Sequence, residues 1–199
     1  MCQYATRLID GGMTPDAALS TTMNELPCEA VVLMMREETP DSVFVSRINY
    51  PMTVGIAEDG DIYFATTRLA FPEDVRFTGI GLLPAMQTYE ITRGGVRISP
   101  YPLTLGVKVA GLTGERAEAA YPFFLAELAK DSGRPKQGYE LLDCYASVWP
   151  QGELDQAEPM LYEMLERLAA EGRLGITPIA IEGISPNHIG TKFGVFEKA

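Results

Sequence analysis

Histidine is nearly missing from this chain: His188 is the single one in 199 residues, and cysteine occurs three times, at Cys2, Cys28 and Cys144. A zinc site built from His and Cys would need nearly all of these side chains together, so none is expected. The cysteines lie far apart without a C-x-x-C pair, and their odd number suits a reduced compartment rather than a disulfide framework. Positive charge is scarce as well. Sixteen Lys and Arg face 27 Asp and Glu, giving a net charge of −11 and a pI near 4.6. A nucleic-acid partner draws its affinity from clustered Lys and Arg, which this balance does not supply. No apolar run approaches the roughly 20 residues of a membrane span. Met1-Cys2-Gln3-Tyr4 also lacks the basic start and apolar stretch of a secretory signal, so the expectation is a cytoplasmic protein with no membrane partner.

What is present is an ordinary globular balance, 46% hydrophobic and 22% charged, in a length that holds one large domain or two small ones. The first hundred residues read as helices on an antiparallel sheet. Tyr4, Leu8 and Ile9 mark a first helix that Gly11-Gly12 ends. Thr14-Pro15-Asp16 opens a second, with a hydroxyl at the N-cap, proline at the first helical position and an acid against the positive end of the dipole. Ala17, Ala18, Leu19, Met23 and Leu26 follow at helical spacing up to Pro27. Ala30 to Met35 is a short unbroken apolar run, which predicts a strand buried on both faces. Ser42 to Ile48 returns as a strand after a turn at 37–41. Thr53–Ala57 and Ile62–Thr66 form a hairpin over Glu58-Asp59-Gly60-Asp61, where Gly60 takes the positive φ of a tight turn. Thr67 to Phe71 is a short helical turn before Pro72, and Met86–Thr92 pairs with Val96–Ser99 across Arg93-Gly94-Gly95.

Ser99-Pro100-Tyr101-Pro102 favours an extended linker and sets a boundary, dividing the chain into 1–99 and 100–199. Beyond it three helices are expected: Glu115–Asp131 with Ala120, Phe124 and Leu128 on one stripe, Gly138–Trp149, and Asp155–Glu171 with Leu161, Met164, Leu165 and Leu168 inward. Gly172 stands where a cap glycine belongs. Strands over Leu174–Ile181 and Lys192–Phe196 complete the order of a winged helix. From Leu112 to Ala199 there are eight basic and fourteen acidic residues, and the third helix sets Asp155, Glu158, Glu163 and Glu166 against Arg167. DNA phosphates would repel such a helix, so this half suits protein contacts.

The segment from Tyr50 to Ser99 resembles the later half of a class II glutamine amidotransferase domain, an N-terminal nucleophile hydrolase best known as the glutaminase part of glucosamine-6-phosphate synthase. Tyr50-Pro51 with Val54-Gly55-Ile56 is similar to the family's proline-led strand, Ile62-Tyr63-Phe64-Ala65 to the strand after it, and Tyr89-Glu90-Ile91-Thr92 with Gly95-Val96-Arg97-Ile98 to the closing hairpin. The family has Ser-Asp after that alanine, where this chain has Thr66-Thr67. The resemblance implies a shortened or split homologue, or a gene fragment. The family's nucleophilic cysteine, arginine loop, asparagine-glycine oxyanion pair and amine-binding acid all precede the matched region, and none has a counterpart here. No catalytic, cofactor or metal residue is therefore assigned, and glutamine is a ligand only if a separate chain supplies the missing half.

Cys2 remains the one nucleophile to weigh. Removal of Met1 would expose it beside an α-amine that could act as its base, yet Gln3 to Ile9 has helical rather than strand character. His188 lies in a Ser-Pro-Asn turn, and Cys28 and Cys144 sit beside apolar residues as small hydrophobes. Glu37, Glu38 and Asp41 form a solvated turn, short of the six or so oxygens a hard cation needs. Gly79-x-Gly81 leads into Leu82-Leu83-Pro84 rather than a helix start, so it is no phosphate loop. The expected fold class is α+β, a partial α/β sandwich followed by a winged-helix-like module. The expected function is an amidotransferase-like scaffold, inactive alone, and the alternative is a non-catalytic interaction or regulatory protein. A truncated sandwich would leave an apolar sheet face or edge open to a protein partner or a homo-oligomer.

Overall fold

The computed structural model describes residues 1–26, 30–100, 106, 108–130, 134–182 and 189–198. Helices and mostly antiparallel sheets share the chain, which is α+β as expected. It divides into two compact units, Met1–Ala110 with Gly152–Gln156, and Gly111–Gln151 with Ala157–Ala199. The division thus falls past the prolines at 100 and 102, and the second unit's sequence is interrupted by a short return to the first. Among the described residues no helix is long and apolar enough to cross a membrane.

The first unit begins with α1 (Cys2–Asp10) and α2 (Pro15–Glu25), the latter opened by Pro15 behind Thr14 in an extended conformation. Strands β1 (Val31–Arg36), β2 (Thr39–Arg47), β3 (Thr53–Ala57), β4 (Ile62–Ala65), β5 (Phe77–Leu82), β6 (Gln87–Thr92) and β7 (Gly95–Pro100) follow. They make a four-stranded sheet in the order β1-β2-β6-β7 and a three-stranded sheet in the order β4-β3-β5. A 3-10 turn at Arg68–Ala70 matches the short helical turn expected there. Strand β5 answers the Gly79-x-Gly81 pair, whose glycines lie within a strand and not in a loop.

Register separates the two faces of the larger sheet. Leu33, Val45, Tyr89 and Ile98 stand in one row and Met35, Val43, Ile91 and Val96 in the next, all on one face. Val45, Tyr89 and Ile91 there pack with Met52, Val54 and Leu83, joining the larger sheet to the smaller. The opposite face carries the rows Val32, Ser46, Thr88, Ser99 and Met34, Phe44, Glu90, Arg97. Helix α2 covers that face, where Ser20 Oγ lies 2.9 Å from Thr88 Oγ1, which in turn donates to Ser46 Oγ at 3.2 Å. The unit is a stack of helices, sheet and sheet.

Burial on both faces was expected of Ala30–Met35, and β1 is different. It is the terminal strand, and Leu33 and Met35 are 44% and 67% exposed. An apolar run signals a strand but not its place in the sheet.

The unit closes with a two-residue parallel pair, β8 (Lys108–Val109) and β10 (Glu153–Leu154).

The second unit holds α3 (Gly114–Ala129), β9 (Lys136–Gln137), α4 (Ala157–Ala170), β11 (Leu174–Glu182) and β12 (Ile189–Glu197), with the sheet order β11-β12-β9. The apolar stripes fall as read from sequence: Ala120, Phe124 and Leu128 of α3 and Leu161, Met164, Leu165 and Leu168 of α4 are all buried. Gly172, at φ 72°, ends α4, with the Gly172 and Arg173 amides donating back to Ala169 and Leu168. Helix α4 starts at Ala157, two residues after the Asp155 expected, because Asp155 and Gln156 belong to the first unit.

The helix expected over Gly138–Trp149 is instead two 3-10 turns, Gly138–Leu141 and Ala146–Val148. Tyr145 leaves the helical region (φ −117°, ψ 24°) and donates its hydroxyl to the carbonyl of Ala157 at 2.7 Å. Leu141 and Tyr145 are both fully buried, so the apolar spacing was real, but it serves two tight turns around a side-chain anchor.

Candidate functional site

Helix α1 lies against α2, with the Tyr4 hydroxyl donating to the Glu25 carboxylate and Ala5 buried. It borders a groove of about 240 Å³ lined by Met1, Cys2, Ala5 and Thr6 of the α1 segment, Leu19 and Thr22 of α2, and Val32, Leu33, Met34 and Met35 of β1. Four consecutive residues of a terminal strand thus form one wall and helices the other. Thr22, fully buried, donates its hydroxyl to the Ala18 carbonyl at 2.7 Å, and Thr6 donates to the Cys2 carbonyl at 3.0 Å. Both hydroxyls are engaged locally, and among the described residues no Asp, Glu, Lys, Arg or His side chain lines the groove.

Cys2 itself is exposed and opens a helix rather than a strand. An activated thiol needs a base or a cationic neighbour, and among the described residues no side chain of the lining offers one.

The remaining candidates scatter. Cys144 is half-buried in the second unit and donates to the Leu141 carbonyl at 3.1 Å. Burial, with the Glu127 charge, pushes its thiol up to about 11, which leaves it unreactive near neutral pH. His188 and Cys28 lie outside the described residues. Glu37, Glu38 and Asp41 stay at the β1–β2 hairpin, where Glu38 pairs with Arg36 at 3.2 Å. Among the described residues no group of three or more His, Cys, Asp or Glu is placed to hold a metal ion. On α4, Arg167 lies 3.8 Å over the Tyr121 ring and pairs with Glu118 at 2.9 Å and Glu171 at 3.4 Å.

Two polar nodes of the first unit have no local signature in the sequence. Arg47 is fully buried; its Nη1 donates to the Tyr50 carbonyl at 2.6 Å and its Nη2 to Gln156 Oε1 at 2.7 Å. Gln156, 109 positions away in sequence, passes the bond on to the Ala110 carbonyl. This node fastens the loop after β2 to the β8–β10 pair.

The second node ties α2 to β7. Asp16 accepts from Arg97 Nη1 at 2.9 Å and Ser99 Oγ at 2.8 Å, while Arg97 also grips Glu90 at 2.6 Å and Ser42 donates to Glu90 at 3.1 Å. Burial by itself would push the Asp16 carboxyl up. The hydrogen bonds from Arg97, Thr14 and Ser99 and the Arg97 charge outweigh it and hold the group well below the usual carboxylate range. Both nodes are structural ties between layers.

No protein-family model matches the chain, and no curated protein matches it.

Proposed function

We infer that the first unit is a class II glutamine amidotransferase-like scaffold with no glutaminase activity by itself, and that the chain works by binding protein. The observation that carries this reading is Cys2, exposed at the head of a helix in a groove where, among the described residues, no acidic, basic or charged side chain lines the wall. Hydrolysis through a thioester needs a base for the sulfur and donors for the oxyanion; among the described residues the lining side chains offer no base, and the hydroxyls of Thr6 and Thr22 are already donated to backbone carbonyls. Support for the scaffold comes from the two hairpins in the matched segment, β3–β4 and β6–β7, between which β5 adds a strand that the resemblance does not include. If a separate chain supplied the nucleophile and glutamine clamp, the reaction would be glutamine hydrolysis through a cysteinyl thioester, with ammonia passed onward.

A second reading rests on the other unit. The succession α3, β9, two turns, α4 and the β11–β12 ribbon, with β9 paired to β12, is similar to a winged helix. Its excess of acids favours a regulatory module that contacts protein over one that contacts DNA.

The test is glutamate release from glutamine by the purified chain and by its Cys2→Ala variant. Neither is expected to release glutamate above the buffer rate. Release by the parent chain that the substitution abolishes would refute the reading.

A further inference from the structure

The sheets of this molecule end in strands that differ in how they are guarded. Strand β7 carries Arg97 at mid-strand, tied to Asp16 and Glu90, and ends at Pro100. Strand β4 has four residues, and β5 holds Gly79 and Gly81 and slips register between Ile56 and Ala57 of its partner. In the second unit β9 has two residues and β11 contains Pro178. Charges, prolines, bulges and shortness are the devices that keep a sheet edge from pairing. Strand β1 has none of them between Val31 and Met35; its first charge, Arg36, and a slip in its register with β2 come only at its last residue.

We propose that β1 pairs antiparallel with β1 of a second copy of this chain, extending the four-stranded sheet across a twofold axis. The outward backbone N–H and C=O groups of a terminal strand are satisfied by another strand and by little else of comparable fit. Such a strand must be apolar on both faces. One face meets the groove with Ala5, Leu19 and Thr22, and the other lies beside Leu33 and Met35, already 44% and 67% exposed. Val31-Val32-Leu33-Met34-Met35 is itself apolar on both faces, so the chain supplies the strand that its own groove requires.

Charge agrees with a self-complementary pairing. An antiparallel twofold sends the two Arg36 side chains to opposite ends of the ribbon, and no like charges face each other along it. Opposing the pairing is the net charge of −11 on each copy. That repulsion is long-ranged and is screened once the Debye length falls to about 8 Å at physiological salt. A standard interface buries about 1,200–2,000 Å². A six-residue ribbon falls at the low end even with the groove walls added, so a dissociation constant of about 1–100 μM is expected. The inference rests on β1 and stands whether or not the amidotransferase reading does.

Sedimentation equilibrium of the purified chain tests it. The mass should rise from 21.8 kDa toward twice that between about 1 and 200 μM, and more steeply as NaCl goes from about 50 to 500 mM. The Leu33→Lys/Met35→Lys variant, altered at exposed positions of β1, should stay monomeric throughout with its circular dichroism unchanged. Val96→Lys, on the opposite edge at a position 46% exposed, should dimerise like the parent. Should the lysine variant misfold, hydrogen exchange of the parent at low and high concentration decides: slower exchange over 31–36 at high concentration supports the pairing. A monomer at every concentration, a dimer that survives the β1 lysines, a dimer that salt weakens, or unchanged exchange in β1 overturns it.

Discussion

The two units bury different kinds of side chain. The second has one continuous apolar cluster, running from Ala117 through Phe124, Leu141, Tyr145 and Met164 to Val195. The first has its apolar residues in separate clusters, one between the sheets and one around Met23 and Ile48. Among the described residues, every buried polar side chain except Lys136 lies in the first unit: Asp16, Thr22, Ser42, Ser46, Arg47, Asn49, Thr53, Thr88 and Gln156. Apolar burial is non-directional and tolerates pH, whereas a buried polar group must find particular partners or cost free energy. The second unit is thus held by volume and the first by specific ties between layers. The first also holds the terminal strand β1 and, beside it, a groove whose described lining is mostly apolar.

The comparison breaks first on Phe124. Its side chain is fully buried and its ring stacks on Tyr121 with centroids 6.3 Å apart. Phe124→Ala should destabilise the second unit by about 3–5 kcal/mol. Trp149, the single tryptophan, packs against the same cluster, so its fluorescence in urea reports this unit. A shift worth less than about 1.5 kcal/mol would mean that volume does not hold the unit, and the contrast would fail.

The next effect belongs to the first unit. Gln156→Ala strips Arg47 Nη2 and the Ala110 carbonyl of a shared partner without opening a large cavity. A hydrogen bond to a charged group contributes about 1.5–3 kcal/mol, and a loss of that size is expected. Hydrogen exchange should show it in the strands of the first unit, with the amides of α3 and α4 changed far less. Equal loosening of both units would show that the tie is not local to the first.

What the sequence made legible follows the same divide. Thr14-Pro15-Asp16 and Gly60 carry their geometry in their own chemistry, and the helix and hairpin stand where those residues place them. The apolar stripes of α3 and α4 were readable because a single core rewards simple periodicity. Tyr145 defeated the same rule, since its anchor on Ala157 lies beyond any local window. Gly79 and Gly81 concealed β5 because glycine reads as loop while the strand is fixed by its pairing with β3. The Arg47–Gln156 and Asp16–Arg97 ties join residues 109 and 81 positions apart, and no spacing rule connects them. The groove at β1 was half legible: the apolar run was plain, and its place at the end of the sheet was not.

The smallest effect sharpens the contrast through pH. Against the opposing pull of burial, Asp16 has a carboxyl held below its unfolded value by Arg97, Thr14 and Ser99. A depressed group contributes stability that is fully present above the unfolded pKa of about 3.9 and is lost as pH falls through the folded one. Arg97 is 56% exposed in this pair, so solvent screens it and the contribution is about 1 kcal/mol. Asp16→Asn should therefore destabilise the first unit by about that amount at pH 7. The gap to the parent should stay constant down to about pH 5 and narrow below about pH 4. In the second unit the lowered carboxyls of Glu140 and Glu171 sit in pairs with partly exposed arginines, which contribute little, and Glu127 joins the exposed Lys130 to the buried Lys136. Urea melts at pH 7 and pH 3, followed by far-ultraviolet circular dichroism and by Trp149 fluorescence, separate the units. If acid moves the Trp149 transition as far as the other, the polar ties of the first unit are not what sets its response to protons.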